Sequence, residues 1–569
     1  MALRPEDLQA TFCATLVDEW ARAGLTDAVV SPGSRSAPLA LAFERDPRVQ
    51  VHVVLDERSA AFRALGFGLA TGHPAAVLCT SGTAAANFHP AVIEAAHARV
   101  PLLVCTADRP PELRDAGAGQ TIDQTHLYGC AVRWFHDPGP PDDQPGAGAA
   151  WRAAASRAFA ATLGPPAGPV HCNFAFREPL LPTGAPLVDA PGRADGEPWT
   201  RSAVVRRAPG AADVKRLAAR VRAYPRGLLV AGWGAGVTPD TAAHFAAAAG
   251  WPVLADPISR LRTGPHAVSA YEALLRAPGF PDSHRPDLVL RVGAAPTSKV
   301  ATAWLDPSVP QVLVDPHDDW LDPHHAACER LAVDAEALLA AVAGELAASS
   351  TSPWLDDWQR AERSARAAID RTLDASPAPC DALVARDLAA ALPDGASLVV
   401  ASSLPVRALE WSMAPRTGLR LFANRGANGI DGFVSTVIGI ADVNRSARTV
   451  GLCGDLCFLH DTNGLLGATA PATFVVVDND GGGIFSYLPP AELPEFERLF
   501  VTPHGLDLVE VARAHGAAAE RVDDVHKLVE AALTPADGPR VLVIPVDRAA
   551  SVTRHRALWD AVAQAVPID

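Results

Sequence analysis

Oxygen-bearing residues follow two β-like runs of the chain at a spacing that suits a metal site. Asp455 ends one run, in Gly454-Asp455-Leu456, and Asn479 ends a second run one strand-helix-strand unit later. Carboxyl ends of neighbouring parallel strands meet at one sheet edge, so these side chains should lie close together. With the Gly481 carbonyl, they offer the oxygen ligands that Mg²⁺ takes together with phosphate. The pattern predicts a Mg²⁺-diphosphate site; a plain turn followed by a flexible glycine loop is the alternative.

One acid and a set of cations could also do chemistry. Glu57 follows the apolar run 51–55. It could exchange protons with a ligand if apolar surroundings raised its pKa, or it could be a solvated charge at a strand end. Arginine in particular grips carboxylates with two parallel hydrogen bonds, although any single cation could be a solvated surface charge. The candidate cations are Arg35, Arg109, Lys299, Arg407 and Arg425.

Parallel sheets must position these residues, and the sequence has the pattern for them. Short β-rich runs at 27–30, 51–55, 75–79 and 101–106 alternate with Ala-rich helical stretches, which is the βαβ rhythm. Pro- and Gly-rich text near 181–210 and the break at 377–379 divide the chain. The predicted fold class is α/β, with three domains of parallel sheets flanked by helices. The predicted domains are residues 1–185, 200–370 and 380–569.

The central domain contains a glycine-rich loop, Gly232-Trp-Gly-Ala-Gly236, directly after a predicted strand. It is similar to a dinucleotide-binding loop, but the full GxGxxG spacing is missing and no acid is well placed for a ribose. We therefore interpret it as a tight strand-to-helix turn.

Composition limits the class of protein. The 569 residues are 49% hydrophobic and 20% charged, which predicts several buried cores. The formal net charge of −15 has the wrong sign for binding nucleic acid or anionic membranes through general charge. Nine cysteines without a CxxC pair favour a reducing compartment. With neither a signal-peptide pattern nor an apolar run of the roughly 18 residues needed to span a membrane, we expect a cytoplasmic protein.

Taken together, the motifs resemble those of thiamine diphosphate (ThDP) enzymes, in which a Gly-Asp-Gly…Asn-Asn cassette binds the Mg²⁺-diphosphate. Here Leu456 replaces the second glycine. Within that class, the set is similar to the 2-succinyl-5-enolpyruvyl-6-hydroxy-3-cyclohexene-1-carboxylate (SEPHCHC) synthases of menaquinone biosynthesis, the MenD family. The motifs are Ser31-Pro-Gly-Ser-Arg-Ser-Ala-Pro-Leu39, Leu55-Asp-Glu-Arg-Ser-Ala-Ala-Phe62, Cys79-Thr-Ser-Gly-Thr-Ala84, Thr106-Ala-Asp-Arg-Pro-Pro111 and Asn424-Arg-Gly-Ala-Asn-Gly-Ile-Asp-Gly432. The central domain matches weakly.

The resemblance implies a pyrimidine-binding first domain, a central Rossmann-like domain and a diphosphate-binding third domain. Glu57 would share a proton with the aminopyrimidine ring of ThDP, and Ile430 and Phe485 would support the folded cofactor. The other implied cofactor residues are Ser81, Gly82 and Ile484. The implied ligands of Mg²⁺ or Mn²⁺ are Asp455, Asn479 and Gly481. Arg109 and Gln120 join Glu57 as implied catalytic residues, and the implied substrate residues are Ser34, Arg35, Arg109, Gln120, Lys299, Ser403, Arg407 and Arg425.

The implied activity is that of a transferase. 2-Oxoglutarate loses CO₂, and the unit that remains adds to isochorismate. Gly119 stands where the family usually has Asn, and Val300 stands where some relatives have a second cation, so details of substrate binding could differ. The alternatives are another ThDP-dependent 2-oxo acid decarboxylase or carboligase, such as an acetolactate-synthase-like enzyme, and a non-catalytic ligand-binding α/β protein.

The resemblance further implies a homodimer, or a dimer of dimers. The first domain of one chain would face the third domain of its partner, so that each active site is shared between subunits.

Overall fold

A computed structural model of the chain describes residues 4–184, 191–317, 319–346 and 352–566. Within these ranges the strands form three six-stranded sheets, and every pair of neighbouring strands is parallel. Helices flank each sheet, so the predicted α/β class with three domains is confirmed. The predicted end of the first domain at residue 185 lies outside the described residues.

The first domain is a sheet covered on both faces. Its strands are β1 (Asp27–Val30), β2 (Gln50–Val53), β3 (Ala75–Cys79), β4 (Leu102–Asp108), β5 (Trp134–His136) and β6 (Pro169–Ala175). Its helices are α1 (Pro5–Ala23), α2 (Ala37–Arg45), α3 (Glu57–Thr71), α4 (Thr83–Asn87), α5 (His89–Ala98) and α6 (Ala147–Leu163). The strand order is β2-β1-β3-β4-β6-β5. Because strand side chains alternate between faces, Val30 and Cys105 enter one core while Val29 and Val104 enter the other.

The second domain repeats this architecture. Its strands are β7 (Gly227–Ala231), β8 (Val253–Ala255), β9 (Ala267–Val268), β10 (Leu288–Val292), β11 (Gln311–Val314) and β12 (Ala327–Leu331). Its helices are α7 (Ala211–Ala223), α8 (Pro239–Ala249), α9 (Tyr271–Leu274), α10 (Phe280–Ser283), α11 (Lys299–Trp304), α12 (Ala335–Glu345) and α13 (Pro353–Asp374). The strand order is β12-β11-β10-β7-β8-β9.

The glycine-rich loop after β7 packs against protein. A Cβ on Gly232 would lie 1.9 Å from the Ala294 carbonyl oxygen, and the Ala294 N–H donates to the Trp233 carbonyl (2.8 Å). At the start of α8, the Thr238 N–H donates to the Glu336 carboxylate (2.7 Å). Glu336 thus occupies an N–H group at the start of α8 that a bound phosphate would need. This supports the interpretation of the glycine-rich loop as a strand-to-helix turn.

The third domain contains Asp455 and Asn479. Its strands are β13 (Ser397–Val400), β14 (Arg420–Phe422), β15 (Thr449–Gly454), β16 (Ala472–Asp478), β17 (Ala518–Arg521) and β18 (Arg540–Pro545). Its helices are α14 (Asp381–Ala391), α15 (Leu404–Ser412), α16 (Phe433–Val443), α17 (Asp455–His460), α18 (Leu508–Ala514), α19 (Val525–Leu533) and α20 (Arg548–Ala565). The order β14-β13-β15-β16-β18-β17 places β15 and β16 side by side at its centre.

The first and third domains of the same chain pack through α3 and α16. Gly439 of α16 lies so close to α3 that an added Cβ would be 2.1 Å from the Arg63 carbonyl oxygen. The Arg63 guanidinium binds the buried Asp442 carboxylate at 2.7 Å. This contact fixes the two domains relative to each other.

None of the helices in the described ranges combines the length and the apolar character that a membrane-spanning helix needs.

Candidate active site

Most of the predicted site residues lie just beyond the carboxyl ends of strands. In an α/β fold these ends form the usual ligand-binding edge. In the first domain they are Ser34 and Arg35 after β1, Ser81 and Gly82 after β3, and Arg109 after β4. In the third domain they are Ser403 after β13, Arg425 after β14, Asp455 after β15, and Asn479 and Gly481 after β16.

Asp455 is a fixed carboxylate at the first turn of α17. One oxygen accepts the Leu456 N–H at 2.6 Å, and the other accepts those of Gly481 (2.7 Å) and Asn479 (3.2 Å). Burial raises the pKa of Asp455 to about 6, and the backbone donors oppose that rise. A cation at this carboxylate would offset the cost of burying it.

Asn479 and Gly481 complete the predicted ligand set. The Asn479 side-chain oxygen is buried and has no hydrogen-bond partner within the protein, as expected for an atom that binds a ligand. Gly481 has φ +133°, and a Cβ there would lie 2.2 Å from the Val501 carbonyl oxygen, so only glycine fits. Its carbonyl accepts the Gly483 N–H at 2.9 Å. Carboxylate, amide and carbonyl oxygens suit Mg²⁺, so the residues present fit a metal-bound diphosphate.

The sequence analysis missed two residues of this cluster. Asp478 and His504 lie beside Asp455, and one ligand-type atom from each of the three lies within 4.8 Å of the others. Asp478 precedes Asn479 and could have been found as part of the cassette. His504 comes from a distant loop in the sequence, and no spacing rule indicates it.

Glu57 opens a helix and does not end a strand. β2 stops at Val53, two residues short of the predicted run, and Glu57 is the first residue of α3. Asp56 caps that helix by accepting the N–H groups of Arg58 (2.9 Å) and Ser59 (3.3 Å). The other Asp56 oxygen accepts the Asn463 amide at 2.8 Å, which ties the Glu57 backbone to the third domain.

Three first-domain candidates bind one another. The Arg109 guanidinium donates to the Ser81 hydroxyl, which donates to the Gln120 carbonyl at 2.9 Å. The Gln120 amide donates back to the Ser81 carbonyl at 3.0 Å. The Gly82 N–H donates to the buried Gln124 side chain at 2.9 Å, a supporting residue that the sequence analysis did not identify.

Arg35 completes the cationic part of this group. Burial and the neighbouring Arg35 guanidinium both lower the pKa of Arg109. Arg35 itself is buried and donates to the exposed Glu178 carboxylate at 2.9 Å. The two guanidinium groups repel each other, and the acid that Arg35 binds is exposed. A bound carboxylate would therefore stabilise this pair of arginines.

A second cationic group lines a cavity of about 260 Å³ between the second and third domains. Lys299, Arg407 and Ile484 are the predicted site residues among its lining. Burial, and then the nearby Arg425, lower the pKa of Arg407. The Arg407 guanidinium also donates to the Ser403 carbonyl at 2.6 Å, which joins two predicted substrate residues.

Two buried acids hold the loop that presents Lys299. The Glu272 carboxylate accepts the Ser298 hydroxyl, and Ser298 caps α11, whose first residue is Lys299. Next to it, the Thr297 N–H donates to Asp256 at 2.7 Å. The sequence analysis missed these supporting acids, because they come from separate segments of the second domain, Glu272 from α9 and Asp256 from the residue after β8.

The remaining candidates are less constrained. Ser34 and Gln120 are exposed, and Ile430 and Phe485 are half-buried. The Phe485 ring packs edge-on against Phe500, with ring centroids 5.6 Å apart. At the departure from the family pattern, a Cβ on Gly119 would meet nothing within 4 Å, so the loop has room for a side chain there.

The candidates form separate groups. Among the described residues, no hydrogen bond or ion pair joins Ser81, Arg109 and Gln120 to Asp455, Asn479 and Gly481. A ligand long enough to reach from one sheet edge to another could connect such groups.

Comparison with known families finds three matching domains along the chain. Residues 11–127 match the N-terminal thiamine pyrophosphate (that is, ThDP) binding domain of thiamine pyrophosphate enzymes, residues 193–400 match their middle domain, and residues 412–544 match their C-terminal binding domain. In fold, the chain is similar to a benzoylformate decarboxylase from Polynucleobacter necessarius, with TM-score 0.71, 19% identity, and 94% and 98% of the two chains covered. Fold and site thus define a protein of the ThDP-dependent enzyme class.

Sequence relatives narrow this class to one family. The chain is 45% identical to the SEPHCHC synthase of Thermobifida fusca, with 97% of this chain and 98% of the relative covered. It is 42% identical to that of Chloroflexus aurantiacus (98% and 96% covered) and 40% identical to that of Haloarcula marismortui (99% and 99%). The chain belongs to the SEPHCHC synthase family.

Proposed function

We propose that this chain catalyses the reaction for which its relatives are named, with ThDP and a divalent cation. In this reaction 2-oxoglutarate loses CO₂, and the remaining unit forms a carbon–carbon bond to isochorismate, giving SEPHCHC. The observation that carries the proposal is the Asp455 carboxylate beside the unpartnered Asn479 oxygen, at adjacent strand ends, in a chain of this family.

The metal ion would be held by Asp455, Asn479 and the Gly481 carbonyl. Three backbone N–H groups fix the Asp455 carboxylate, so the ion would meet a ligand that needs little reorganisation. When bound, ThDP supplies the electron sink that decarboxylation and carbon–carbon bond formation need. Ser81, Gly82, Ile430, Ile484 and Phe485 are the proposed supports of its organic part.

Glu57 would hold the proton that the cofactor's pyrimidine ring must share. The capped first turn of α3 supports this role, because it fixes the Glu57 backbone against the third domain. A carboxylic acid on a rigid element stays within hydrogen-bonding distance of its partner, so it can exchange a proton without first changing its conformation.

Two sets of crowded cations support dicarboxylate substrates. Arg35 and Arg109 form one set, and Lys299, Arg407 and Arg425 form the other. In each set a buried or half-buried guanidinium lies near another cation, so a bound carboxylate would relieve repulsion and gain charge-assisted hydrogen bonds. Ser34, Gln120 and Ser403 would add neutral hydrogen bonds.

The proposed domains are residues 1–185, 200–370 and 380–569. The proposed assembly is a homodimer, or a dimer of dimers, in which each active site is shared between two subunits. The cytoplasm is the proposed location, because all nine cysteines are free.

A direct assay tests the activity. Cofactor-depleted protein is incubated with ThDP, Mg²⁺, 2-oxoglutarate and isochorismate, and the product is identified by mass. We expect SEPHCHC and CO₂ in equal amounts. A parallel reaction contains pyruvate as the only 2-oxo acid, with FAD added. Product from pyruvate alone would replace the proposal with an acetolactate-synthase-like activity.

The metal site has its own test. Asp455→Ala removes the charged ligand, so calorimetry should show loss of Mg²⁺-dependent ThDP binding. Undiminished ThDP affinity in this variant would place the cofactor elsewhere.

A further inference from the structure

His504 lies over the metal-site cluster without a hydrogen-bond partner for its Nε2 atom. The side chain is 10% exposed, and Nε2 is 3.5 Å from the nearer Asp455 oxygen and 3.8 Å from an Asp478 oxygen. These separations exceed hydrogen-bonding distance. A buried polar atom left unpaired in this way needs an explanation.

The other ring nitrogen determines which chemistry Nε2 offers. His504 Nδ1 accepts the Leu506 N–H at 3.0 Å, so the ring proton sits on Nε2. A protonated nitrogen has no lone pair for a metal ion. The Asp455, Asp478 and His504 cluster therefore is not a three-ligand metal site, although its residue types suit one.

The loop that presents this donor is anchored from the opposite side. One Asp480 oxygen accepts the N–H groups of His504 and Gly505, both at 2.9 Å. Asp480 directly follows Asn479, so the loop that supplies a proposed metal ligand also fixes the His504 backbone. With Nδ1 bound by the Leu506 N–H, both the backbone and the ring of His504 are held in place.

Because the Asp455 and Asp478 carboxylates lie too far away, the Nε2–H group needs an acceptor from a ligand. The charges nearby restrict which ligand this can be. A free anion would be repelled by Asp455 and Asp478. An anionic oxygen bound to a cation on Asp455 meets no such barrier, and a phosphate oxygen is a strong acceptor for an N–H donor. We propose that His504 is a cofactor-binding residue whose Nε2–H donates to a phosphate oxygen of the metal-bound diphosphate. This inference rests on the proposed function.

Calorimetry at saturating Mg²⁺ tests the inference through affinity alone. His504→Ala should weaken ThDP binding about tenfold or more, as expected for loss of a charge-assisted hydrogen bond. His504→Gln keeps an N–H donor at similar reach and should bind within about threefold of the unmodified chain. His526→Ala, an exposed histidine of α19 in the same domain, is the matched control and should change nothing.

The results for His504→Ala and Asp455→Ala distinguish failure of the His504 role from failure of the proposed function. Wild-type ThDP affinity in His504→Ala would overturn the inference, and so would a loss in His504→Gln as large as in His504→Ala. If Asp455→Ala loses ThDP binding while His504→Ala keeps it, only the role of His504 is wrong. If Asp455→Ala keeps ThDP binding, the proposed cofactor site itself fails.

A phosphorus NMR spectrum separates a phosphate contact from an effect on Asp455 alone. One of the two phosphate resonances of bound ThDP should shift between the unmodified chain and His504→Gln, because the donor changes from an imidazole to an amide. If both resonances stay unchanged, the direct contact is overturned.

Discussion

At the scale of single residues, hydrogen bonds from neighbouring segments fix the backbone positions of two candidate site residues. Asp56 caps the helix that Glu57 opens, and Ser298 caps the helix that Lys299 opens. Each cap is in turn bound by a side chain from another segment, Asn463 in the first case and Glu272 in the second. The residues expected to contact ligands are therefore presented by fixed first turns.

Glu57→Gln tests the proton role at this scale. The amide has nearly the same shape, so the fold and most of the ThDP affinity should be kept. Turnover should fall by about a hundredfold or more, as for loss of a general acid–base group. Steady-state rates with calorimetric ThDP affinities measure the two effects separately. Turnover close to that of the unmodified enzyme would show that the proton relay lies elsewhere.

At the scale of elements, the contact between α3 and α16 determines how the first and third domains meet. Gly66 and Gly439 lie at the crossing, and a Cβ on Gly439 would be 3.1 Å from the Gly66 Cα. The three atoms nearest to an added Cβ on Gly439 all belong to the backbone of α3, so no flexible side chain can move aside to make room. The crossing also fixes the Asp56–Asn463 contact beside Glu57.

Gly439→Ala should therefore destabilise the chain. The added methyl group would force α3 and α16 apart, at a cost of about 1–3 kcal/mol in the free energy of unfolding. Gly344→Ala is the control: Gly344 is exposed in α12, its Cβ would meet nothing within 4 Å, and alanine favours a helix. Urea unfolding compares the two variants. Equal stability of both would show that the helix crossing can relax.

Another junction, between the second and third domains, contains a buried acid with a shifted pKa. The Glu410 carboxylate accepts a hydrogen bond from Arg262 at 2.7 Å, and both side chains are 1% exposed. Burial raises the pKa of Glu410 to about 8 from an ordinary value of 4.5, with Arg262 opposing the rise. The folded chain then keeps a proton that the unfolded chain releases between these values.

The stabilisation linked to this proton is complete below about pH 4.5 and is lost as the pH rises through about 8. The melting temperature of the cofactor-free chain should therefore fall more steeply between about pH 5 and pH 8 than that of Glu410→Gln, which cannot titrate there. Scanning calorimetry at several pH values provides the comparison. Parallel curves for the two proteins would contradict the shifted pKa.

Much of this architecture follows from local sequence signals, and the exceptions have a common cause. The strand 27–30 and the position of Asp455 after β15 were predictable, because burial pattern and strand-end chemistry are local. The predicted strand 51–55 extends two residues past the end of β2 at Val53, because β2 lies at the sheet edge and Leu55 is an exposed apolar residue beyond it. His504 and Glu272 could not be predicted, since each reaches its partner only through the fold.

At the scale of the whole molecule, the candidate site residues are divided between domains. Glu57 belongs to the first domain and Asp455 to the third, and among the described residues no hydrogen bond or ion pair joins their two side chains. ThDP would have to contact both. In the shared-site proposal, a two-fold dimer forms two such sites from complementary domains, whereas a single chain forms none.

Mixing two inactive variants tests this arrangement. Glu57→Gln and Asp455→Ala are unfolded together and refolded as a mixture, and turnover is measured. Random pairing gives about half mixed dimers, each with one intact site and one doubly damaged site, so activity should recover to about one quarter of wild type. Each variant refolded alone is the control and should stay inactive. Differently tagged chains must co-purify to show that mixed dimers formed. If they do and the mixture remains inactive, both residues serve a pocket within one chain, because intrachain sites allow no rescue.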